Sequence, residues 1–137
     1  MTTKTGKRIF VTEKGEVDIA NVPAGVAVTA DAGVAVNDLV YLADDSGTLK
    51  CFKADNTANA AEGFVKLLDG VNAVVAITPE KVALTSGIDL GRVIYLGTDG
   101  GITDTAPITS GTIVQKVGKV LDPDTVLFNL QTGRAIV

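Results

Sequence analysis

The chain has 137 residues, 46% of them hydrophobic, and a net charge of −4, which is room for one domain around one core. It carries no His and one Cys, so a Ser-His-Asp triad, a Cys-His pair, His-bearing zinc sites, multi-cysteine metal sites and an intrachain disulfide are excluded. No apolar run exceeds five residues, against the ~20 a membrane-spanning helix needs; a soluble protein is expected, and the lack of an apolar stretch behind Met1 predicts no cleavable secretory signal and synthesis in a cytoplasm.

Charge divides the chain unevenly. Lys4, Lys7, Arg8 and Lys14 against Glu13 give the first fourteen residues a net +3 and leave the rest at −7. An acidic body argues against wrapping nucleic acid phosphates. Residues 1–14 are therefore expected to form an extended basic arm, with Lys4, Lys7 and Arg8 contacting an acidic partner or a neighbouring protomer.

The remainder, residues 15–137, reads as a single β domain. Val, Ile and Thr supply 44 of the 137 residues, and such stiff branched side chains favour the pleated sheet. Turn residues recur every ~8 to 12 positions, the spacing of short strands in a sandwich or barrel. In chain order, strands are expected at 7–11, 16–19, 26–30, 39–43, 49–53, 63–68, 73–78, 81–84, 92–96, 113–121, 125–129 and 135–137. A single helical turn is expected over 55–62, capped by Asp55 or Asn56. Asp44-Asp45-Ser46-Gly47, Asp99-Gly100-Gly101 and Asp122-Pro123-Asp124 read as turns, because Asp bonds its own backbone, Gly supplies positive φ and Pro fixes φ. The fold class is all-β: a compact β-barrel or β-sandwich of short antiparallel strands. With six aromatics and no Trp, its core must be built from small aliphatic side chains.

Sliding the sequence against itself reveals a duplication. Leu39-Val40-Tyr41-Leu42 matches Val93-Ile94-Tyr95-Leu96 at an offset of 54, and Gly47-Thr48-Leu49 matches Gly101-Ile102-Thr103 at the same offset. Glu62-Gly63-Phe64-Val65 falls opposite Val117-Gly118-Lys119-Val120 at 55. The repeat units span about 34–68 and 88–121. Neither unit could bury its apolar face alone, so the two are expected to pack together or close into one barrel.

Chemistry-bearing residues are few. Cys51, within Leu49-Lys50-Cys51-Phe52-Lys53, reads as inert packing, since activation needs a His or a closely placed cation. Paired carboxylates are the remaining catalytic device. Asp44 with Asp45 points to opposite faces of a strand, and Asp122 with Asp124 sits in a turn, so both pairs read as loop-shaping. Asp99 to Asp104 has too few acids for a calcium loop. No phosphate-binding loop is present. The expectation is no enzyme, no metal and no cofactor.

The stretch Leu84–Thr103, continued by Ala106-Pro107 and Ile113–Leu121, resembles a module of tailed-bacteriophage virion proteins: a strand ending in Tyr95-Leu96, a Gly100-Gly101-Ile102-Thr103 turn, a Thr-Pro-rich loop, and a Val114-Gln115-Lys116-Val117-Gly118 strand preceding Thr125–Asn129. The resemblance covers about 84–130. Such modules occur in capsid decoration (cement) proteins and in tail fibres. The resemblance implies a homotrimer on the capsid exterior, bridging major capsid protein subunits. The alternative it leaves open is a tail-fibre or receptor- and glycan-binding module, for which the two tyrosines, Tyr41 and Tyr95, lie in apolar strands rather than on an evident sugar platform.

Overall fold

A computed structural model describes residues 25–137 in full and, by backbone alone, the strands Ile9–Thr12 (β1) and Gly15–Asp18 (β2), which pair antiparallel. Lys4, Lys7 and Arg8, and with them the expected arm contacts, lie outside the described residues. The fold is all-β with short strands in sheets, and no helix occurs among the described residues.

Two five-strand assemblies make up the body. The first contains Val26–Ala30 (β3), Leu39–Asp45 (β4), Thr48–Lys53 (β5), Gly63–Asp69 (β6) and Asn72–Ala76 (β7), closed into a barrel in the order β3-β5-β4-β6-β7. The second contains Glu80–Ala83 (β8), Val93–Leu96 (β9), Ile102–Thr103 (β10), Lys116–Asp122 (β12) and Thr125–Phe128 (β13), in the order β10-β9-β12-β13-β8. Ile113–Val114 (β11) pairs with Arg134–Ala135 (β14) at the side. The stretch expected as one strand over 113–121 is broken at Gln115.

The two assemblies share one topology, with β3, β4, β5, β6 and β7 answering to β8, β9, β10, β12 and β13. Register agrees at the central pairs. Val40 lies opposite Gly63 as Ile94 lies opposite Gly118, and Val65 opposite Val75 as Val120 opposite Val126. A bulge falls between Val65 and Leu67 in one unit and between Val120 and Asp122 in the other, which makes Lys66 and Leu121 counterparts. The loops entering β4 and β9 also agree. Asn37 (φ 74°) and Gly91 (φ 80°) both take the left-handed conformation, and their N–H groups donate to Val65 O and Val120 O, each at 2.8 Å.

The hairpins differ from the sequence match. In the first unit Ser46 (φ 54°) and Gly47 (φ 89°) form the two-residue turn, the left-handed pair that suits strand twist. In the second the left-handed pair is Asp99 (φ 54°) and Gly100 (φ 78°), so Gly47 answers to Gly100 and not to Gly101. Leu42 faces Cys51 while Leu96 faces Ile102, which makes the second hairpin three residues shorter.

The units also differ in closure. In the first, Lys50 and Cys51 pair parallel with Thr29 and Ala30, sealing the barrel; this is the one parallel pairing among the described strands. β10 has two residues and pairs only with β9 among the described strands. Its turn docks on the first unit instead: Gly100 N donates to Ala54 O (2.7 Å), Leu39 N to Gly100 O (2.9 Å) and Asn56 N to Gly97 O (3.0 Å).

Two apolar clusters follow. Val28, Val40, Cys51, Val65, Ala73 and Val75 fill the barrel, the small side chains that a five-strand interior admits. Leu39, Phe64 and Ala76, on the barrel's outer side, meet Ile94, Leu96, Val117, Val120, Val126 and Phe128 of the second sheet. Adjacent residues thus enter different cores: Leu39 and Val40, and Phe64 and Val65, are all 0–1% exposed. The rings of Phe64 and Phe128 lie 4.7 Å apart, an arrangement that contributes about 1 kcal/mol beyond area burial. Phe64 answers to Lys119, an exposed residue; one position of the repeat is apolar where it meets the other unit and charged where it meets water.

Candidate functional site

The seam between the units holds Gln115 and Asp55, two side chains with several hydrogen-bond partners each. The single turn expected over 55–62 is confined to residues 55–59 and is not continued as helix. Asn59 N donates to Asp55 O and Ala58 N also reaches it (each 2.9 Å), while Asp55 N donates to Asn59 O (3.0 Å), which returns the chain at once. The capping role of Asp55 holds: its Oδ1 accepts from Thr57 N (2.9 Å) and Thr57 Oγ1 (2.6 Å), and its Oδ2 from Asp99 N (2.9 Å). These donors, led by the Thr57 hydroxyl, hold the Asp55 carboxyl below its ordinary pKa.

Gln115 is the one buried polar side chain among the described residues, at 1% exposure. Its Oε1 accepts from Ala61 N, and its Nε2 donates to Ala61 O and Gln131 O, all at 2.8 Å. One amide therefore ties Gln115 to the 61 segment and to the stretch between β13 and β14, with both amide hydrogens donated. Sequence reasoning did not single it out, although a Gln between Ile113-Val114 and Val117 is a polar residue inside an apolar run, the signal that could have found it.

Glycines set the closeness of the ladders. A Cβ at Gly63 would fall well under 3.0 Å from Ala76 O, and one at Gly118 well under 3.0 Å from Leu127 O. Both are backbone contacts, made at counterpart positions in the two units, which explains why Gly opens or interrupts the strand each time.

The expected chemical candidates are separated. Cys51 lies in the barrel core at 0% exposure, where burial pushes its thiol pKa up; this is the environment of an inert thiol. Asp44 Oδ1 accepts from Gly47 N (3.0 Å) and Asp122 Oδ1 from Asp124 N (2.9 Å), so each shapes its own turn. Asp45 pairs with Lys50 at 2.8 Å, and Asp124 accepts from Thr85 Oγ1 at 3.0 Å. Asp99 lies 3.5 Å from Lys53 and Asp104 3.3 Å from Arg92. Asp38, whose pKa is raised chiefly by burial, accepts from Ala35 N at 2.8 Å. Tyr41 stacks on Phe52 at 5.4 Å, and both it and Tyr95 are half-buried. Among the described residues no group of three or more His, Cys, Asp or Glu converges as a metal site.

The surface chemistry is apolar and scattered: Val36, Leu49, Val71, Ile77, Leu90, Ile108 and Leu121 are each more than 40% exposed. No protein-family model, curated protein or solved structure matches this chain.

Proposed function

We propose that the chain is a non-enzymatic structural protein of a tailed-bacteriophage virion, made in the host cytoplasm and placed on the capsid exterior as a homotrimer, where it stabilises the shell by bridging major capsid protein subunits. The observation that carries this reading is the use made of the 84–130 stretch. Its distinctive residues are spent on holding the molecule together: Gly100 and Gly97 dock the second unit on the first, Gln115 clamps the seam, and Gly118 admits the close approach of β13. A cement protein works by repeated apolar burial, which yields ~25 cal/mol per Å² before association entropy and desolvation are subtracted. A well-braced β body with apolar residues at its rims suits that task. The basic arm, through Lys4, Lys7 and Arg8, is its proposed anchor on acidic capsid.

The test is addition of purified protein to expanded heads that lack it. Saturable binding in hundreds of copies, with a higher head disruption temperature, is the expected result. A copy number of a few to a few dozen per virion, located at the tail, would assign it to a fibre instead. Removal of residues 1–14 is expected to lower head occupancy, and unchanged occupancy would remove the arm from the proposal.

A further inference from the structure

Positive charge is unevenly placed on the body. Residues 25–137 hold eight Lys and Arg against thirteen Asp and Glu. Lys50, Lys53, Lys66 and Arg92 each pair with a carboxylate, while Lys81, Lys116, Lys119 and Arg134 pair with none among the described residues. Three of these last four stand on one surface, the outward face of the second sheet. Strand pairing sets Lys81, Leu127, Lys119 and Val93 side by side across β8, β13, β12 and β9, with Lys116 beside Tyr95 in the next row. All three lysines are exposed. Glu80, the acid of β8, sits opposite the buried Phe128 and bonds Lys66 on the inner side. Asp122 stands only at the rim, where its Oδ1 already accepts from Asp124 N.

The repeat gives this face a counterpart. In the first unit Leu39, Phe64 and Ala76 stand in the register that Val93, Lys119 and Leu127 hold in the second, and that row is buried against the second sheet. One face of the repeat is therefore a contact face in the first unit and a lysine-bearing face in the second. A face that only has to stay soluble mixes both signs of charge; this one excludes acids in a chain that is acidic overall. Beside the row, Lys116 and Lys119 line a shallow concavity with Val93, Gly118, Asn129 and Gln131. The two amides, both exposed, offer hydrogen-bond donors and acceptors there.

We propose that the face bearing Lys81, Lys116 and Lys119 binds an acidic, extended polypeptide segment of a partner protein. Charge complementarity selects a carboxylate-bearing partner, and spacing selects its form. Lys81 and Lys119 are two strands apart, with Leu127 between them, which is roughly 10 Å at the usual strand spacing. An extended chain with three residues per turn and a rise of ~3.1 Å sets every third side chain on one face at ~9 Å. Acidic residues three apart thus meet the two lysines, with their methylene stems over Leu127, while Asn129 and Gln131 serve the peptide groups. A nucleic acid strand is disfavoured because its phosphates would meet the acids of the surrounding body. The inference concerns this face and not the N-terminal residues, and its failure would leave the capsid reading where it stands.

Fluorescence anisotropy tests it, with the full chain and a labelled peptide that carries Glu at every third position and Pro and Ala between. Saturable binding that weakens as salt rises is expected, and the same peptide with Gln for Glu is expected not to bind. Lys119→Gln and Lys81→Gln are each expected to keep the wild-type circular dichroism and to weaken binding about fivefold, the loss of one exposed charge contact. Lys50→Gln removes the same charge from the barrel, where Lys50 pairs with Asp45, and is expected to change binding by less than about twofold. No saturable binding, equal binding of the Gln peptide, or an equal loss in Lys50→Gln would overturn the proposal. So would tighter binding of a single-stranded oligonucleotide of equal charge, which assigns the face to nucleic acid. A wild-type oligomer that dissociates in Lys119→Gln by sedimentation velocity would overturn it too, because the occupant would then be a second copy.

Discussion

Gly118→Ala isolates one physical cause. No positive φ is required at Gly118 or Gly63, so an alanine there is not strained by its backbone angles; it is excluded by space. At Gly118 the added carbon would overlap Leu127 O and lie 2.9 Å from Leu127 C and 3.2 Å from Phe128 Cα. All are main-chain atoms of β13, held by its pairing to β12 and β8, so no side-chain rotation relieves the overlap. Overpacking costs about 1–3 kcal/mol, and the reduced unfolded-state entropy of Ala returns about 0.4–1 kcal/mol. With a rigid backbone on the other side the net is expected near the upper end, about 2–2.6 kcal/mol. Gly63→Ala is expected to be comparable or slightly milder, since one of its close contacts, Val75 Cγ1 at 2.6 Å, is a side-chain atom while the other is Ala76 O. Gly87→Ala is the control: no atom lies within 4 Å, and its φ of +72° carries only the left-handed penalty of about 1–2 kcal/mol. Urea unfolding measures all three through midpoint shifts at unchanged slope. A Gly118→Ala midpoint within 0.5 kcal/mol of wild type (order of the surface-substitution scatter) would refute the close-approach explanation.

Gln115→Leu is expected to cost about 3 kcal/mol by urea melt, because Ala61 N, Ala61 O and Gln131 O lose their buried partner and an unsatisfied group costs about 1–3 kcal/mol. Asp55→Asn is expected to cost about 0.5–1 kcal/mol at neutral pH, allowing for solvent screening. The folded Asp55 pKa lies below its unfolded value, so the carboxylate's stabilisation is fully present above the unfolded pKa and is lost as pH falls through the folded one. The gap between variant and wild type should therefore close below about pH 4, as a melting series against pH will show. Cys51, buried with a raised pKa, is expected to resist a thiol reagent at pH 8 until urea unfolds the barrel; prompt reaction of the folded protein would show that the core opens.

Much of the repeat was readable because strand pairing leaves a local trace. Val40 and Ile94, or Gly63 and Gly118, keep their types since each meets the same cross-strand neighbour and the same close backbone. The hairpins misaligned by sequence because several glycines stand together at 97, 100 and 101, and only φ values reveal which one occupies the turn centre. The capped turn at Asp55 was legible from Asp-Asn-Thr-Ala, but its extent was not: it stops at Asn59, where Asp55 N bonds Asn59 O and the chain returns. Asp44 and Asp122 were legible as loop formers, since an Asx bond to a backbone N–H two or three residues on needs no distant partner.

The amino-acid sequence by itself determined the all-β class, the small-residue core, the tandem repetition and the absence of His-dependent chemistry, all of which follow from composition and local periodicity. Tertiary structure alone decided which unit closes. Two units of one topology differ in that β5 pairs with β3 while β10 pairs with β9 alone among the described strands, and the turn before β10 spends its hydrogen bonds on the neighbouring barrel. The faces of β4 and β6 were likewise settled only there: alternation marks two faces of a strand, but it takes a second unit packed outside the barrel to bury both.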